Sequence, residues 1–163
     1  VGDDRKLRQV DLATGEVTLL FQAKMFPNRI AITPDSAVML LGDSTGGLDF
    51  WDLQTQKLVK SIKAHEATVS AITVSRDGET IYTYGLDRNL KVWNRKGEEL
   101  KNIPMSFVNI SDLRESPNGK TLATSTQDVG VIQLWDPKEG KEIGALKGHA
   151  GAIWGICFSE DGK

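Results

Sequence analysis

Two histidines, one cysteine and a serine set among glycines are the first side chains of this 163-residue sequence to test for bond-breaking or metal-holding chemistry. His65 and His149 stand 84 residues apart. A zinc site needs three or four convergent ligands, so each histidine reads as a structural member of its own segment. Gly42-Asp43-Ser44-Thr45-Gly46-Gly47 has the look of the surroundings of a hydrolytic serine. It lacks a glycine directly after the serine, and no His/Asp partnership with triad logic accompanies it, so it reads as a turn. Cys157 is the sole cysteine, which excludes a disulfide framework. Between Ile156 and Phe158 it is expected to be a packed thiol. Asn109-Ile110-Ser111 is a glycosylation sequon, but nothing else points to secretion. No Walker A or G-x-G-x-x-G pattern offers a phosphate cradle. The recurring Asp-Gly and Asn-Gly pairs are turn chemistry rather than calcium ligands. No catalytic residue, metal or cofactor is expected.

What positions these residues is a repeated β-meander. From His65 the chain runs through the apolar beat Val69, Ile72, Val74, the turn Arg76-Asp77-Gly78, a second beat at Ile81 and Thr83, the turn Leu86-Asp87-Arg88-Asn89, and the strand Leu90-Lys91-Val92-Trp93. Short alternating strands joined by Asp, Gly and Asn turns are hairpins. The same order recurs: Trp51, Trp93 and Trp135 are 42 residues apart, and Val10-Asp11 stands one period earlier. The turn residues Asp35, Asp77, Asn118 and Asp161 keep the register, as do Thr14-Gly15, Thr55-Gln56, Lys96-Gly97 and Glu139-Gly140. A register kept across four copies fixes the fold class before any single residue does.

The spacing predicts strands over 5–11 and 16–22, then 28–33, 37–42, 48–53 and 58–63, with further units over about 67–104 and 107–147 and another beginning at 151–158. Four strands of ~6 residues leave ~4–5 for each connection, the length of hairpin loops. No stretch carries the 3.6-residue periodicity of a helix. The fold is therefore expected to be all-β, in antiparallel four-stranded units: 1–24 (partial), 25–65, 66–105, 106–148 and 149–163 (partial). One such sheet cannot bury both faces alone, so successive units must stack, and radial stacking protects most edges.

Lys and Arg number 20 against 22 Asp and Glu, a net charge of −2 with no basic cluster, so no nucleic-acid or membrane partner is expected. Charged residues at 26% and hydrophobic ones at 39% are ordinary globular usage. No apolar run approaches the ~18 residues of a membrane helix, and no signal peptide is visible. The chain opens on Val1-Gly2-Asp3-Asp4 without an initiator Met. It stops at Asp161-Gly162-Lys163, a turn that elsewhere leads into a second strand. It is expected to be a piece of a longer protein.

Gly148-His149, Ser75-Arg76-Asp77-Gly78 and Trp51-Asp52, at this period, resemble the WD40 repeat family of β-propellers over essentially the whole chain. The resemblance implies a larger ring of seven or eight blades, of which this chain would be a fragment, and a buried network of His, Ser/Thr, turn Asp and Trp in each blade. His65, Thr83, Asp87 and Trp93 fill it completely; Thr124, Asp128 and Trp135 fill it in part, with no His near Phe107. Trp51 stands with Leu41 and Thr45 at the network positions, and His149 opens the last unit. An imidazole between a carboxylate and a hydroxyl, with an indole N–H donating, would satisfy groups that a blade otherwise buries unpaired.

The resemblance further implies a protein-binding face on the loops leading into the innermost strands. By register these are Asn28, Arg29, Ser70, Ser111, Asp112 and Trp154, joined by Leu86 and Gln127 before the turn position. Trp154 replaces a small polar residue there, and Trp and Arg are favoured interface anchors; a core-packed Trp is the competing reading. Glu115 occupies a slot otherwise filled by Ile32, Val74 and Phe158 and needs a partner or water.

The function expected is that of a non-catalytic, cytoplasmic scaffold that presents rigid loops to proteins or peptides, with self-association to close a ring as a further prospect. Two alternatives are a propeller hydrolase or lactonase, which would need His, Asp and Glu converging on the axis, and a structural assembly module of a multidomain regulatory protein.

Overall fold

Fourteen strands are present in a computed structural model that describes residues 4–106 and 109–162. The expectations placed on Val1, Gly2, Asp3, Phe107 and Lys163 lie outside the described residues. Strands β1 (Lys6–Val10) and β2 (Val17–Gln22) form a two-stranded sheet. Three four-stranded sheets follow. The first holds β3 (Pro27–Ile32), β4 (Val38–Asp43), β5 (Gly47–Asp52) and β6 (Lys57–Lys63). The second holds β7 (Val69–Val74), β8 (Thr80–Gly85), β9 (Asn89–Asn94) and β10 (Glu99–Pro104), and the third β11 (Ile110–Glu115), β12 (Leu122–Thr126), β13 (Val131–Asp136) and β14 (Lys141–Lys147). Neighbours in sequence are neighbours in each sheet, always antiparallel. In the two-stranded sheet and the first four-stranded sheet each end falls within one residue of its expected place, because alternation and turn chemistry are both local signals.

The turns between first and second strands repeat one device. The hydroxyls of Thr33, Ser75, Ser116 and Ser159 donate to Asp35, Asp77, Asn118 and Asp161 at 2.6, 2.6, 2.8 and 2.8 Å. The next residue is left-handed in every copy: Gly78, Gly119 and Gly162 at φ 77°, 67° and 71°, but Ser36 at 57° in the first. Glycine takes this conformation without steric cost, and serine does not.

Each hydrophobic core lies between two sheets. Leu7 and Ala23 pack with Met39, Leu41 and Trp51; Leu40, Leu48 and Phe50 pack with Val69, Ile81 and Trp93; Tyr82, Leu90 and Val92 pack with Leu113, Leu122 and Trp135. The second strands β8 and β12 are therefore largely buried along their length, while the outer strands β6, β10 and β14 alternate or face solvent. Burying each large apolar side chain contributes roughly 1.5–3 kcal/mol, so the sheets stabilise one another through these junctions.

Residues 151–158 depart from expectation. They form no strand, since none of the described residues offers them a ladder partner. Cys157, expected to be packed, is exposed for the same reason: no sheet forms over it.

Candidate interaction face and the network beneath it

In the second sheet the structure brings together all four expected network residues. His65 Nδ1 lies 3.0 Å from Asp87 Oδ1, and its Nε2 lies 2.8 Å from the Thr83 hydroxyl, which also accepts the Trp93 indole N–H at 2.8 Å. The amides of Glu66 and Asn89 donate to the same carboxylate at 2.9 and 3.1 Å. One protonation pattern satisfies every group: the imidazole is neutral, Nδ1–H donates to Asp87, and Nε2 accepts from Thr83. Burial pushes the His65 pKa down, against the pull of Asp87. Burial alone would raise the Asp87 pKa, but the Glu66 amide, the imidazole and the Asn89 amide together hold it below the usual carboxylate range. Gly85 admits the ring: a Cβ there would stand 2.5 Å from His65 Nδ1 and 2.7 Å from Asp87.

The other sheets keep only parts of this arrangement. In the third, Trp135 donates to the Thr124 hydroxyl at 3.1 Å, and Asp128 accepts instead from the Asn109 amide at 2.7 Å. In the first, the buried Trp51 indole N–H has no acceptor among the described residues, because Leu41 stands where threonine does elsewhere. The Trp51 ring stacks on Phe21 at 3.7 Å between centroids. His149 is exposed and meets no side-chain hydrogen-bond partner among the described residues.

Residues expected on the binding face divide into two groups. Asn28, Ser70 and Ser111 each sit at a register shift of an innermost strand, where one residue goes unpaired. A bulge re-aims its side chain. Here it turns toward the next unit: Asn28 donates to the Val69 carbonyl at 2.9 Å, Ser70 to that of Ile110 at 3.2 Å, and Ser111 to that of Ile153. Ser70 and Ser111 are buried, so these groups tie units together. Asp112 accepts from the Ile156 amide at 3.1 Å and pairs with Arg114 at 3.3 Å, which fixes the segment after His149 against β11. Facing outward, Trp154 is 73% exposed and Leu86 41%. Arg29 and Gln127 are half-buried. Beside Leu86, Arg88 holds φ 66°.

Two features escaped the sequence reading. The bulge ties depend on how one sheet is rotated on the next, which no local pattern encodes. Glu115 stands out in the sequence as a charge in an apolar slot, but its partners do not: it accepts from the Tyr82 phenol on β8 at 2.9 Å and from the Arg76 amide in the β7–β8 turn at 3.2 Å, both in the preceding unit. The glycine-rich serine stretch is the turn expected: Asp43 accepts from the Thr45 amide and hydroxyl at 2.7 Å and from the Gly47 amide at 2.9 Å.

Antiparallel four-stranded sheets stacked in series, each keeping part of one His–Thr–Asp–Trp network, define a β-propeller of WD40 type. The family described as "WD domain, G-beta repeat" matches residues 56–94 and 140–163. The first match contains the complete network. The chain is 28% identical over 157 residues to actin-interacting protein 1-2 of Arabidopsis thaliana, covering 93% of this chain and 26% of that protein. It thus spans about a quarter of that relative's length. A chain in a crystal structure of a mitotic checkpoint complex superposes with a TM-score of 0.83 at 16% identity, over 94% of this chain and 48% of the other, which shows the shared fold.

Proposed function

We propose that the chain is part of a rigid, non-catalytic scaffold whose loop face binds proteins, with the exposed Trp154 and Leu86 and the half-buried Arg29 as its anchors. The observation that carries the reading is the contrast on that face. Asn28, Ser70 and Ser111 are engaged in holding neighbouring sheets, whereas a tryptophan is left 73% exposed among them. Loops fixed by such ties lose little entropy when a partner docks, and an exposed Trp supplies a large apolar contact. The name of the actin-interacting relative is in keeping with a protein partner and a cytoplasmic setting. The units 1–24, 25–65, 66–105, 106–148 and 149–163 are the blades, or parts of blades, in this reading.

A hydrolase or lactonase reading finds little to work with. His65 is buried with both ring nitrogens engaged, and among the described residues no three His, Cys, Asp or Glu side chains gather where a metal could be held.

The test uses a photo-crosslinking amino acid placed at 154, 86 or 29 of the full-length protein in its own cells, with Leu12, 96% exposed and distant in sequence, as the control. Discrete protein adducts at the three face positions and none at 12 are expected. Equal or absent adducts at all four would defeat the reading. Trp154→Ala should abolish the adducts at 86 without changing the melting temperature.

A further inference from the structure

A groove of about 760 Å³ opens between the second and third sheets. The turns β7–β8, β11–β12 and β13–β14 border it, so it lies at the end of the sheets opposite Leu86. Its floor is apolar, made by Tyr82, Val92, Leu100 and Pro117. Four cations line it: Arg76, Lys101, Lys120 and Lys138. None of them makes an ion pair among the described residues. The carboxylates on the same wall are already occupied. Glu115 accepts from Tyr82 and the Arg76 amide, and Asp77 from the Ser75 hydroxyl and the Glu79 amide at 2.6 and 3.0 Å. Asp136, near Lys101 and Lys138, accepts from the Lys138 and Glu139 amides at 2.8 and 2.9 Å. Four cations against the two lining carboxylates leave the groove positive in a chain that is negative overall.

The same groove one junction earlier is bridged. There Arg95 pairs with Asp35 across the two sheets, and Lys60 donates to the carbonyls of Lys96 and Gly97 at 2.7 and 3.2 Å. Moving one repeat on, Arg95 becomes Pro137, Asp35 becomes Asp77 and Lys60 becomes Lys101. Proline cannot pair with Asp77, and among the described residues Lys101 donates to no carbonyl of the following turn. The cross-junction bridge is thus missing where the free cations collect.

We propose that this groove is a second docking site, taking an extended acidic peptide segment whose apolar side chains lie on Tyr82, Val92 and Leu100 while its carboxylates meet Arg76, Lys101, Lys120 and Lys138. Its size falls within the range of ligand-binding clefts, and an apolar floor with a few convergent charges is their usual make-up. Charge complementarity selects acidic over neutral sequences. The site is separate from the loop face, so either can fail without the other.

The experiment is selection of a random phage-displayed library of peptides about twelve residues long on the protein, followed by anisotropy titration of the winners against wild type and Lys120→Glu/Lys138→Glu. Both lysines are exposed, so the melting temperature should not move. Expected are winners rich in Asp and Glu with interspersed apolar residues, affinity lower by about tenfold or more in the variant, and weakening with added salt. Winners without acidic residues, or equal binding to the variant, would overturn the proposal. So would failure to select any peptide alongside lysine-dependent binding to phosphatidylserine vesicles or to none.

Discussion

Tyr82 of the second sheet donates its phenolic proton to Glu115 of the third at 2.9 Å, tying the two sheets beneath their shared apolar core. Burial and the neighbouring carboxylate together push the Tyr82 pKa well above its ordinary value, so the phenol remains a donor at any physiological pH. An acid in a slot otherwise held by Ile32 and Val74 is thereby satisfied rather than stranded.

Removing one half of that tie should cost more than removing both. Tyr82→Phe leaves Glu115 short of a donor and is expected to destabilise by about 1–3 kcal/mol, whereas Tyr82→Phe/Glu115→Val should recover most of the loss. Chemical denaturation of the two single variants and the double variant checks this; additive losses would show that the two side chains do not interact.

The buried imidazole gives stability a pH dependence of definite sign. His65 has a folded pKa below its ordinary 6.5, so the unfolded chain binds more protons in the interval between the two values. Stability is full above about 6.5 and falls as the pH drops from there toward the depressed folded value. Protonation would also turn Nε2 into a donor facing the hydroxyl that already accepts from Trp93. Denaturation midpoints measured from pH 8 to pH 5 should therefore decline for the wild type. His65→Gln should be less stable at pH 8, with a shallower decline.

Two tryptophans in the same register should respond differently to the same change. Trp93 donates to Thr83, while the Trp51 N–H has no acceptor among the described residues. Trp93→Phe loses a hydrogen bond and is expected to cost about 1 kcal/mol more than Trp51→Phe. Truncation to Trp93→Ala is expected to cost about 3–5 kcal/mol. Thermal unfolding of the three variants separates the polar from the packing contribution.

Ser36 occupies a left-handed turn position that Gly78, Gly119 and Gly162 fill in the other copies. Ser36→Gly relieves that conformation and keeps the amide bond to the Thr33 carbonyl at 2.8 Å. A gain of about 1 kcal/mol is expected, read as a higher melting temperature. The same exchange at Gly78, to Ser, should lose a similar amount.

Much of this protein was legible from spacing alone. The 42-residue register of Trp51, Trp93 and Trp135 fixed strand number and order, because alternation, turn residues and hairpin lengths act over a few neighbouring positions. Together with the family resemblance, it located the His65, Thr83, Asp87 and Trp93 network, whose members lie within one unit. Only the tertiary structure decided what happens between units. That Ser70 and Ser111 turn to the carbonyls of Ile110 and Ile153, and that Glu115 finds Tyr82, depend on the rotation of one sheet upon the next. So does the difference between a groove bridged by Arg95 and Asp35 and one left open beside Pro137. Repeats specify their own hairpins through local contacts; the packing of neighbours, some 40 residues away, sets which polar groups meet.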